Sequence, residues 1–191
     1  MHVVLFQPEI PPNTGNVARL CAAMQVSLHL IEPLGFKLED RYLKRAGLDY
    51  WPHVDMTVWP GLDAYLRNAG AGRRLVLTSA RRGVTLHRFA FTENDSLVFG
   101  RETSGLPPEV IALSPHHVRI PIKGEVRSIN LSTAVGIVLF QALASAGMVG
   151  EKAQRPSKDI CGGRGAALKR APPSTTSARP SRPPDKGFGE G

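Results

Sequence analysis

Three stretches of the sequence place glycine beside polar side chains that could bind a ligand and act on it. The first is PPNTGNVARLC, residues 11–21, where Asn13 or Thr14 can cap a helix and Arg19 follows on that helix. A helix N-terminus presents free N–H groups and a partial positive charge, so this stretch suits a phosphate. A capped helix that carries a solvated arginine is the other interpretation of these residues.

The second stretch, FGRETSGLPPE at residues 99–109, has the pattern of a tight turn between a strand and a helix that starts with proline. Gly100 and Gly105 can adopt backbone angles that other residues avoid, which lets main-chain amides contact a ligand. The carboxylate of Glu102 could accept hydrogen bonds from amides or arginine and lock this loop. A glycine-containing turn with an exposed glutamate is the alternative. The pattern is neither a Walker A loop nor a GxGxxG dinucleotide motif.

The third stretch, IPIKGEVRSINLSTAVGIVLFQA at residues 120–142, gathers polar residues at the start of a very apolar helix. They are Arg127, Ser128, Asn130 and Ser132. One of them is enough to cap a helix, and the others need partners if this helix end is buried. We therefore expect a ligand here.

Short apolar runs alternate with stretches of helical periodicity through the first 150 residues. Strands are predicted at 2–7, 27–31, 74–79, 96–99 and 118–120, and helices at 13–24, 41–46, 62–68, 107–113 and 131–148. Apolar strands that lack alternating polarity and are separated by helices indicate an α/β fold, with a parallel sheet flanked by helices. Ligands of such folds bind beyond the carboxyl ends of the strands. Because the three polar stretches follow predicted strands, we expect them to converge on one pocket.

The composition is that of a globular protein of 191 residues, with 42% apolar residues and a net charge of +8. Two cysteines (Cys21 and Cys161) lack the spacing of a disulfide framework or a metal site. Of the six histidines, His116 and His117 are adjacent and the others are scattered, so we predict no metal. No apolar run approaches the roughly 20 residues of a membrane span, and the N-terminus lacks the features of a signal peptide. We therefore expect a cytoplasmic protein.

The composition changes near Gly150. The last 41 residues contain six prolines, six glycines and no apolar periodicity, and their nine basic and four acidic side chains give a charge of +5. Such a segment cannot bury enough apolar area to offset its ordering entropy. We predict one domain at residues 1–150 and a disordered basic tail at 151–191, which is either an RNA-attracting arm or an extension without a role.

Two groups of basic residues are candidates for RNA contact. They are Arg41, Lys44 and Arg45 on one predicted helix, and Arg81 with Arg82. Tyr50 and Trp51 could stack on an unpaired base, as recognition of single-stranded loops often requires. A solvated charged face and a core aromatic are the alternatives, and for Trp51 we favour the core.

The three stretches, in this order and spacing, resemble the three motifs of the SPOUT superfamily of RNA methyltransferases. The opening VVLFQPEIPPNTGNVARLCAA, together with LHLIEPLGF and RAGLDYW, makes the sequence most similar to the TrmL-type tRNA (cytidine/uridine-34-2′-O)-methyltransferases. The resemblance covers residues 1 to about 149 and leaves the tail without a counterpart.

The resemblance implies a parallel sheet whose C-terminal part is tied into a deep trefoil knot, a rare exception to the usual connection rules. It implies S-adenosylmethionine as the cofactor and a homodimer whose active site lies near the subunit interface. The implied reaction is methylation of the ribose 2′-hydroxyl of the wobble nucleotide in the anticodon loop of tRNA, with leucine tRNAs as the expected substrates. Another RNA, such as ribosomal RNA, or an RNA-binding module without catalysis is the alternative.

The resemblance also assigns roles to individual residues. Arg19 matches the arginine that activates the 2′-hydroxyl, and Asn13 and Asn130 match asparagines that shape the catalytic site. The implied cofactor contacts fall on Leu77, Thr78, Gly100, Glu102, Ile120, Ser128 and Leu131. A guanidinium has a pKa above about 12 and rarely releases its proton. We therefore expect Arg19 to act through charge and positioning, with an RNA phosphate as a candidate proton acceptor.

Overall fold

The computed structural model describes residues 1–38, 53–150 and 169–171. Its strands in these ranges are β1 (His2–Phe6), β2 (Ser27–Ile31), β3 (Met56–Trp59), β4 (Arg74–Thr78), β5 (Val84–Thr85), β6 (Asp95–Phe99), β7 (His117–Arg119) and β8 (Lys169–Arg170). They form one sheet in the order β5-β7-β4-β6-β1-β2-β3-β8, and every pair of neighbours is parallel. The carboxyl ends of the strands therefore lie along one edge.

Helices cover both faces of this sheet. The described helices are α1 (Pro11–Met24), α2 (Leu62–Arg67), α3 (Pro108–Ile111) and α4 (Leu131–Ser145), with a 3-10 turn at Leu86–Arg88. Helices α1 and α4 pack on one buried apolar cluster together with Val3 and Leu5 of β1, whereas α2 and α3 pack on a second cluster with Val4 and Phe6. Because β1 is buried on both faces, its sequence is a continuous apolar run. The predicted class, a parallel sheet flanked by helices, is confirmed.

Helix α1 begins at Pro11, two residues earlier than predicted, because Pro11 and Pro12 occupy first-turn positions that need no N–H donor. The residue at the N-cap is Ile10, so the prediction that Asn13 or Thr14 caps this helix is wrong. The backbone N–H groups of Asn13 and Thr14 instead donate to the Ile10 carbonyl oxygen at 3.1 and 3.3 Å. The Asn13 side chain is thereby left for contacts outside its own helix.

Helix α4 ends at Ser145, before the predicted end at Met148, because the chain reverses at Gly147. This glycine has a φ of 69°, a left-handed conformation that glycine adopts without a steric penalty. The Met148 N–H donates to the Leu143 carbonyl at 2.8 Å, and the Gly147 N–H donates to Ala144 at 3.2 Å. These two bonds are the pattern of a Schellman motif, which satisfies the last carbonyls of the helix.

Strands β3 and β5 are not among the elements predicted from the sequence. Strand β5 has two residues, and its pairing of Val84 with Val118 of β7 fixes it more than its own composition does. The helix predicted at 41–46 lies outside the described residues. So do the candidate RNA contacts Arg41, Lys44, Arg45, Tyr50 and Trp51.

Three residues of the predicted tail lie on the edge of the sheet. Lys169 and Arg170 pair with Thr57 and Val58 of β3, and the Ala171 N–H donates to the Val58 carbonyl at 3.1 Å. The expectation of a wholly disordered tail is therefore wrong at these residues. The cause lies in β3, which offers hydrogen-bonding groups along its outer side that the composition of the tail cannot reveal.

Within the described residues, no helix combines the length and the apolar character needed to cross a membrane. In the same ranges, no three His, Cys, Asp or Glu side chains are grouped so that they could hold a metal ion. The Cys21 thiol is buried in α1, and desolvation raises its pKa to about 12. This cysteine is therefore a core side chain that stays protonated.

Candidate active site

A cavity of about 790 Å³ opens at the carboxyl edge of the sheet, among the loops that follow β4, β6 and β7. Of the ten residues expected at the site, eight line it, namely Asn13, Thr78, Gly100, Glu102, Ile120, Ser128, Asn130 and Leu131. Parallel strands bring their carboxyl ends together, so loops far apart in the sequence become neighbours here. The predicted convergence of the three polar stretches on one pocket is confirmed.

Two of the expected residues do not line this cavity. Leu77 is fully buried in the apolar cluster beneath α2, where it supports the end of β4. Arg19 is exposed on α1, six residues after Asn13, and at about 100° per residue it points to a different side of the helix. One chain therefore brings together six of the seven residues expected to bind the cofactor and both asparagines, but not Leu77 or Arg19.

The carboxylate of Glu102 binds the N-terminal end of α1. Its Oε2 accepts from the Glu9 N–H at 2.8 Å, and its Oε1 accepts from the Ile10 N–H at 3.3 Å and from Asn13 Nδ2 at 3.1 Å. An anion is favoured at this position by the helix dipole and the free N–H groups. At the helix end whose sequence suits a phosphate, the structure places the carboxylate of Glu102. The expected role of Glu102 in locking its loop is confirmed.

Glu9 returns the contact from the other side of the loop. Its carboxylate accepts from the Thr103 N–H at 3.0 Å and from Thr103 Oγ1 at 2.9 and 3.0 Å. The turn after β6 and the turn after β1 are therefore held by two glutamates that each bind the backbone of the other loop. Sequence reasoning missed Glu9, since nothing local indicates a partner 94 residues away.

Asn130 joins the third loop to the other two. Its Oδ1 accepts from the Ser132 N–H at 2.9 Å and the Thr133 N–H at 3.3 Å, so it caps α4. Its Nδ2 donates to Oδ1 of Asn13 at 2.9 Å. Asn13, which is 5% exposed, thus binds Glu102 with one end of its amide and Asn130 with the other. This network fixes the relative positions of the three loops.

The loop after β6 requires glycine at two positions. A Cβ placed on Gly100 would lie 2.2 Å from the Gly105 carbonyl carbon, and Gly105 itself has a φ of 72°. Arg101 and Gly105 exchange backbone hydrogen bonds of 2.9 and 3.1 Å across this turn. The chain therefore folds back on itself closely, and its backbone lines the cavity in the way the glycine pattern predicts.

The cavity is rich in positive charge. Four arginines line it, Arg81, Arg82, Arg101 and Arg127, whereas Glu102 is the carboxylate among the lining residues. The Ser79 Oγ accepts from the backbone N–H groups of Arg81 and Arg82 at 3.2 and 3.1 Å, which shapes the turn that carries them. Arg101 also contacts Oε1 of Gln7. Because four arginines outnumber the one carboxylate of the lining, this edge is attractive to a polyanion.

The cavity fits S-adenosylmethionine. Its volume lies within the range of ligand pockets, and Ile120, Ile122 and Leu131 give it the apolar lining that an adenine ring needs. Gly100 and Gly105 both line the cavity, and the turn between them is so tight that a Cβ on Gly100 would meet the backbone of Gly105. The fold and the site together define an α/β protein that binds a nucleotide-like ligand at the carboxyl edge of a parallel sheet.

Comparison with known proteins makes this class specific. The model of the SpoU rRNA Methylase family matches residues 1–140, and the chain belongs to this family. A tRNA (cytidine(34)-2′-O)-methyltransferase of Methylovorus glucosotrophus is 47% identical over 142 residues, which are 73% of this chain and 92% of that protein. A protein of the same name from Aeromonas hydrophila is 42% identical over 153 residues, 78% of this chain and 97% of the relative.

Solved structures give the same result. A structure described as "Structural insights into the 2-OH methylation of C/U34 on tRNA" is 49% identical, with a TM-score of 0.72 over 75% of this chain and 94% of that chain. An rRNA methyltransferase from Sinorhizobium meliloti with bound AdoMet is 25% identical, with a TM-score of 0.68 over 75% of this chain and 55% of that chain. The expected membership of a SPOUT methyltransferase family is confirmed.

Proposed function

We propose that this protein transfers a methyl group from S-adenosylmethionine to the ribose 2′-hydroxyl of nucleotide 34, a cytidine or uridine, in tRNA. The network of Asn13, Glu102 and Asn130 carries this proposal, because it assembles three loops around one cavity. The names of relatives at 42% and 47% identity support the same reaction on the same nucleotide. Leucine tRNAs are the substrates we expect.

S-adenosylmethionine supplies a methyl group on a positively charged sulfur, so the protein need not provide an electrophile. The residues proposed to bind it are Thr78, Gly100, Glu102, Ile120, Ser128 and Leu131, which line the cavity, and Leu77, which supports β4 from the core. Thr78 Oγ1 donates to the Val98 carbonyl at 3.0 Å, so this side chain ties β4 to β6 and its contact to a ligand is through the backbone. Alignment of the ribose oxygen with the methyl carbon and sulfur supplies several kcal/mol of the barrier, up to roughly 7–11 kcal/mol in well-oriented systems.

The 2′-hydroxyl must lose its proton as the oxygen accepts the methyl group. Arg19 is assigned to stabilise the negative charge that develops on this oxygen and to hold an RNA phosphate, which accepts the proton. A guanidinium is suited to this role because it keeps its charge and donates several hydrogen bonds in a fixed plane. Asn13 and Asn130 keep the surrounding loops in place.

The active enzyme is proposed to be a homodimer in which Arg19 of one subunit faces the cavity of the other. Arg19 is exposed outside the cavity of its own chain. Large apolar side chains are exposed on α1, which carries Arg19, and on α4, which packs beside it. They are Met24 on α1 (36% exposed) and Ile137 and Phe140 on α4 (42% and 54%). An exposed apolar surface on packed helices is typical of a protein interface.

Three finer features belong to the same proposal. The domain is assigned to residues 1–150, and the lengths of the matches, 142 and 153 residues over nearly whole relatives, support this boundary. The trefoil knot is supported by the position of β4 between β6 and β7 and by the return of α4 to pack beside α1. A cytoplasmic location suits a protein that acts on tRNA.

The test is to map ribose methylation in tRNA that lacks the modification, after incubation with the purified protein and S-adenosylmethionine. A new 2′-O-methyl group at position 34 is the expected result. Methylation of ribosomal RNA instead would overturn the proposed substrate but keep the reaction. Calorimetry with S-adenosylmethionine distinguishes the enzyme from an RNA-binding module without catalysis. The enzyme must bind the cofactor, whereas such a module has no need to bind it.

A further inference from the structure

A second cavity, of about 430 Å³, lies at the carboxyl ends of β2 and β3, beside the tail strand β8. The loop at residues 32–38 provides most of its lining, and Pro60 and Arg170 complete it. Lys37 and Arg170 are exposed cations, whereas Leu34 and Pro60 provide an apolar floor. Cations beside an apolar floor suit a nucleotide unit, whose phosphate binds the cations while its sugar or base covers the floor.

The tail is what brings Arg170 to this cavity. Strand β8 pairs with β3, and the Ala171 N–H donates to the Val58 carbonyl at 3.1 Å. Without Arg170, the lining holds one cation, Lys37, and one carboxylate, Glu32, so its formal charge is zero. With Arg170 in place the lining has a net charge of +1, so the tail changes a neutral cavity into a basic one.

The docking of β8 is weak by its own contacts. The strand has two residues, and the Lys169–Asp55 ion pair at 3.1 Å is solvent-exposed on both sides, with 69% and 55% of the side chains accessible. Exposed ion pairs of this kind contribute little. A ligand that binds Arg170 at the sheet edge therefore stabilises the docked strand, and the docked strand strengthens the binding of that ligand by the same factor.

The second cavity and the candidate active site share one edge of the sheet. The Gly35 N–H donates to the Pro8 carbonyl at 2.9 Å, which joins the loop after β2 to the turn after β1. That turn binds Glu102 through the N–H groups of Glu9 and Ile10. The two cavities, one with four arginines and the other with two cations, therefore lie beside loops that are hydrogen-bonded to each other. An extended polyanion could contact both at once.

We propose that the tail strand builds a phosphate-binding subsite for the tRNA substrate, away from the methylated nucleotide, with Arg170 and Lys37 as its cations. The choice of tRNA as the ligand rests on the proposed function, whereas the pairing of β8 with β3 is seen in the structure and does not depend on that function. The positive charge of this edge would suit RNA or an acidic protein segment. We favour RNA because the first cavity, on the same edge, is the proposed RNA site.

The test compares the affinity of full-length variants for an unmodified leucine tRNA transcript over a range of salt concentrations. Arg170→Ala removes the cation, and Ala171→Pro removes the N–H that binds Val58 without a change of charge. Arg182→Ala is the matched control, since it removes the same charge from another part of the tail. We expect the first two variants to bind roughly three- to tenfold more weakly, and Arg170→Ala to lower the slope of affinity against salt by about one phosphate contact.

Equal losses in Arg170→Ala and Arg182→Ala would overturn the subsite, because the tail would then act through its total charge. Wild-type affinity in Ala171→Pro would overturn the role of the docked strand. Amide hydrogen exchange at residues 169–171 without RNA gives an independent readout, and exchange that the proline substitution leaves unchanged would refute the docking itself. These outcomes differ from failure of the proposed function, which would appear as no methylation of nucleotide 34 by the wild-type protein.

Discussion

Asn13 and Asn130 are 117 residues apart in the chain, and Nδ2 of Asn130 donates a hydrogen bond of 2.9 Å to Oδ1 of Asn13. The other end of the Asn130 amide caps α4, through bonds from the backbone of Ser132 and Thr133. One side chain therefore fixes the start of a helix with its oxygen and the position of α1 with its nitrogen. Substitution can separate the two contributions.

Asn130→Asp keeps the oxygen that caps α4 but replaces the nitrogen with an oxygen that faces Oδ1 of Asn13. We expect α4 to stay capped, while the lost hydrogen bond lowers the free energy of unfolding by about 1–3 kcal/mol and weakens the binding of S-adenosylmethionine, measured by denaturant unfolding and calorimetry. Asn130→Ala also loses the cap, which lowers the free energy of unfolding by about 1 kcal/mol. Wild-type cofactor affinity in Asn130→Asp would show that the Asn13 bond does not shape the cavity.

Gly100→Ala places a methyl group 2.2 Å from the backbone carbon of Gly105, so the loop after β6 must move. We expect the affinity for S-adenosylmethionine, measured by calorimetry, to fall by about tenfold or more, because the displaced backbone lines the cavity. Gly124→Ala is the matched control, since nothing lies within 4 Å of a Cβ at that position in a neighbouring loop. Equal affinities of the two variants would contradict a close-packed cofactor loop.

Arg19→Lys keeps the positive charge but loses the planar donor geometry of the guanidinium. If Arg19 acts by charge and positioning, kcat falls by about tenfold to a hundredfold while the pH profile and the cofactor affinity stay unchanged. Single-turnover methylation across a series of pH values measures this. Near-full turnover with a shifted pH optimum would instead favour a role for this residue as a base.

The homodimer proposal predicts that two impaired variants restore each other, when methylation is measured at a concentration of S-adenosylmethionine well below the weakened affinity of Gly100→Ala. In a mixed dimer of Arg19→Ala and Gly100→Ala, the cavity of the first subunit is intact and its arginine comes from the second. Co-expression is expected to recover roughly a quarter of wild-type sites, since about half of the dimers are mixed and each has one complete site of two. No recovery, with mixed dimers shown to form, would place Arg19 in the site of its own chain.

A buried histidine predicts a loss of stability in mild acid. His29 is 5% exposed, and its Nδ1 accepts from Trp59 Nε1 at 3.1 Å, which requires a neutral ring. Desolvation lowers its pKa from the ordinary 6.5 to about 4. Above pH 6.5 the ring is neutral in both states. Below that pH the unfolded chain binds a proton that the folded ring resists, so the free energy of unfolding falls by up to about 1.4 kcal/mol per pH unit.

Denaturant unfolding between pH 7 and pH 4 measures this slope, and His29→Gln is the comparison, because its side chain does not titrate and still offers an oxygen to Trp59. The difference between the two slopes isolates His29 from His2, whose pKa burial also lowers, to about 3. Parallel slopes would mean that His29 is protonated in the folded protein as readily as in the unfolded chain.

The sequence predicted those elements whose residue types follow from their own burial or backbone geometry. Strand β1 is apolar on both faces because helices cover both faces, and Gly100 and Gly105 mark a turn that only glycine can form. The features that could not be predicted depend on residues far away in the chain or in another molecule. The α1 N-terminus has the pattern of an anion site, yet the anion is a glutamate about 90 residues later in the same chain. The separation of Arg19 from the cavity is of the same kind, since in the proposed dimer its target belongs to another molecule.

Among the described residues, the sheet has eight strands, and the strands at its two edges, β5 and β8, are each only two residues long. A short border offers little template for intermolecular strand addition, and the consecutive positive charges of Lys169 and Arg170 repel a like copy. Strand β3 is longer, and its outer edge at Thr57 and Val58 is paired with β8, so this part of β3 is not available to a strand of another molecule. A segment that contributes almost nothing to the hydrophobic core thus covers part of the β3 edge, where a strand of another molecule could otherwise pair.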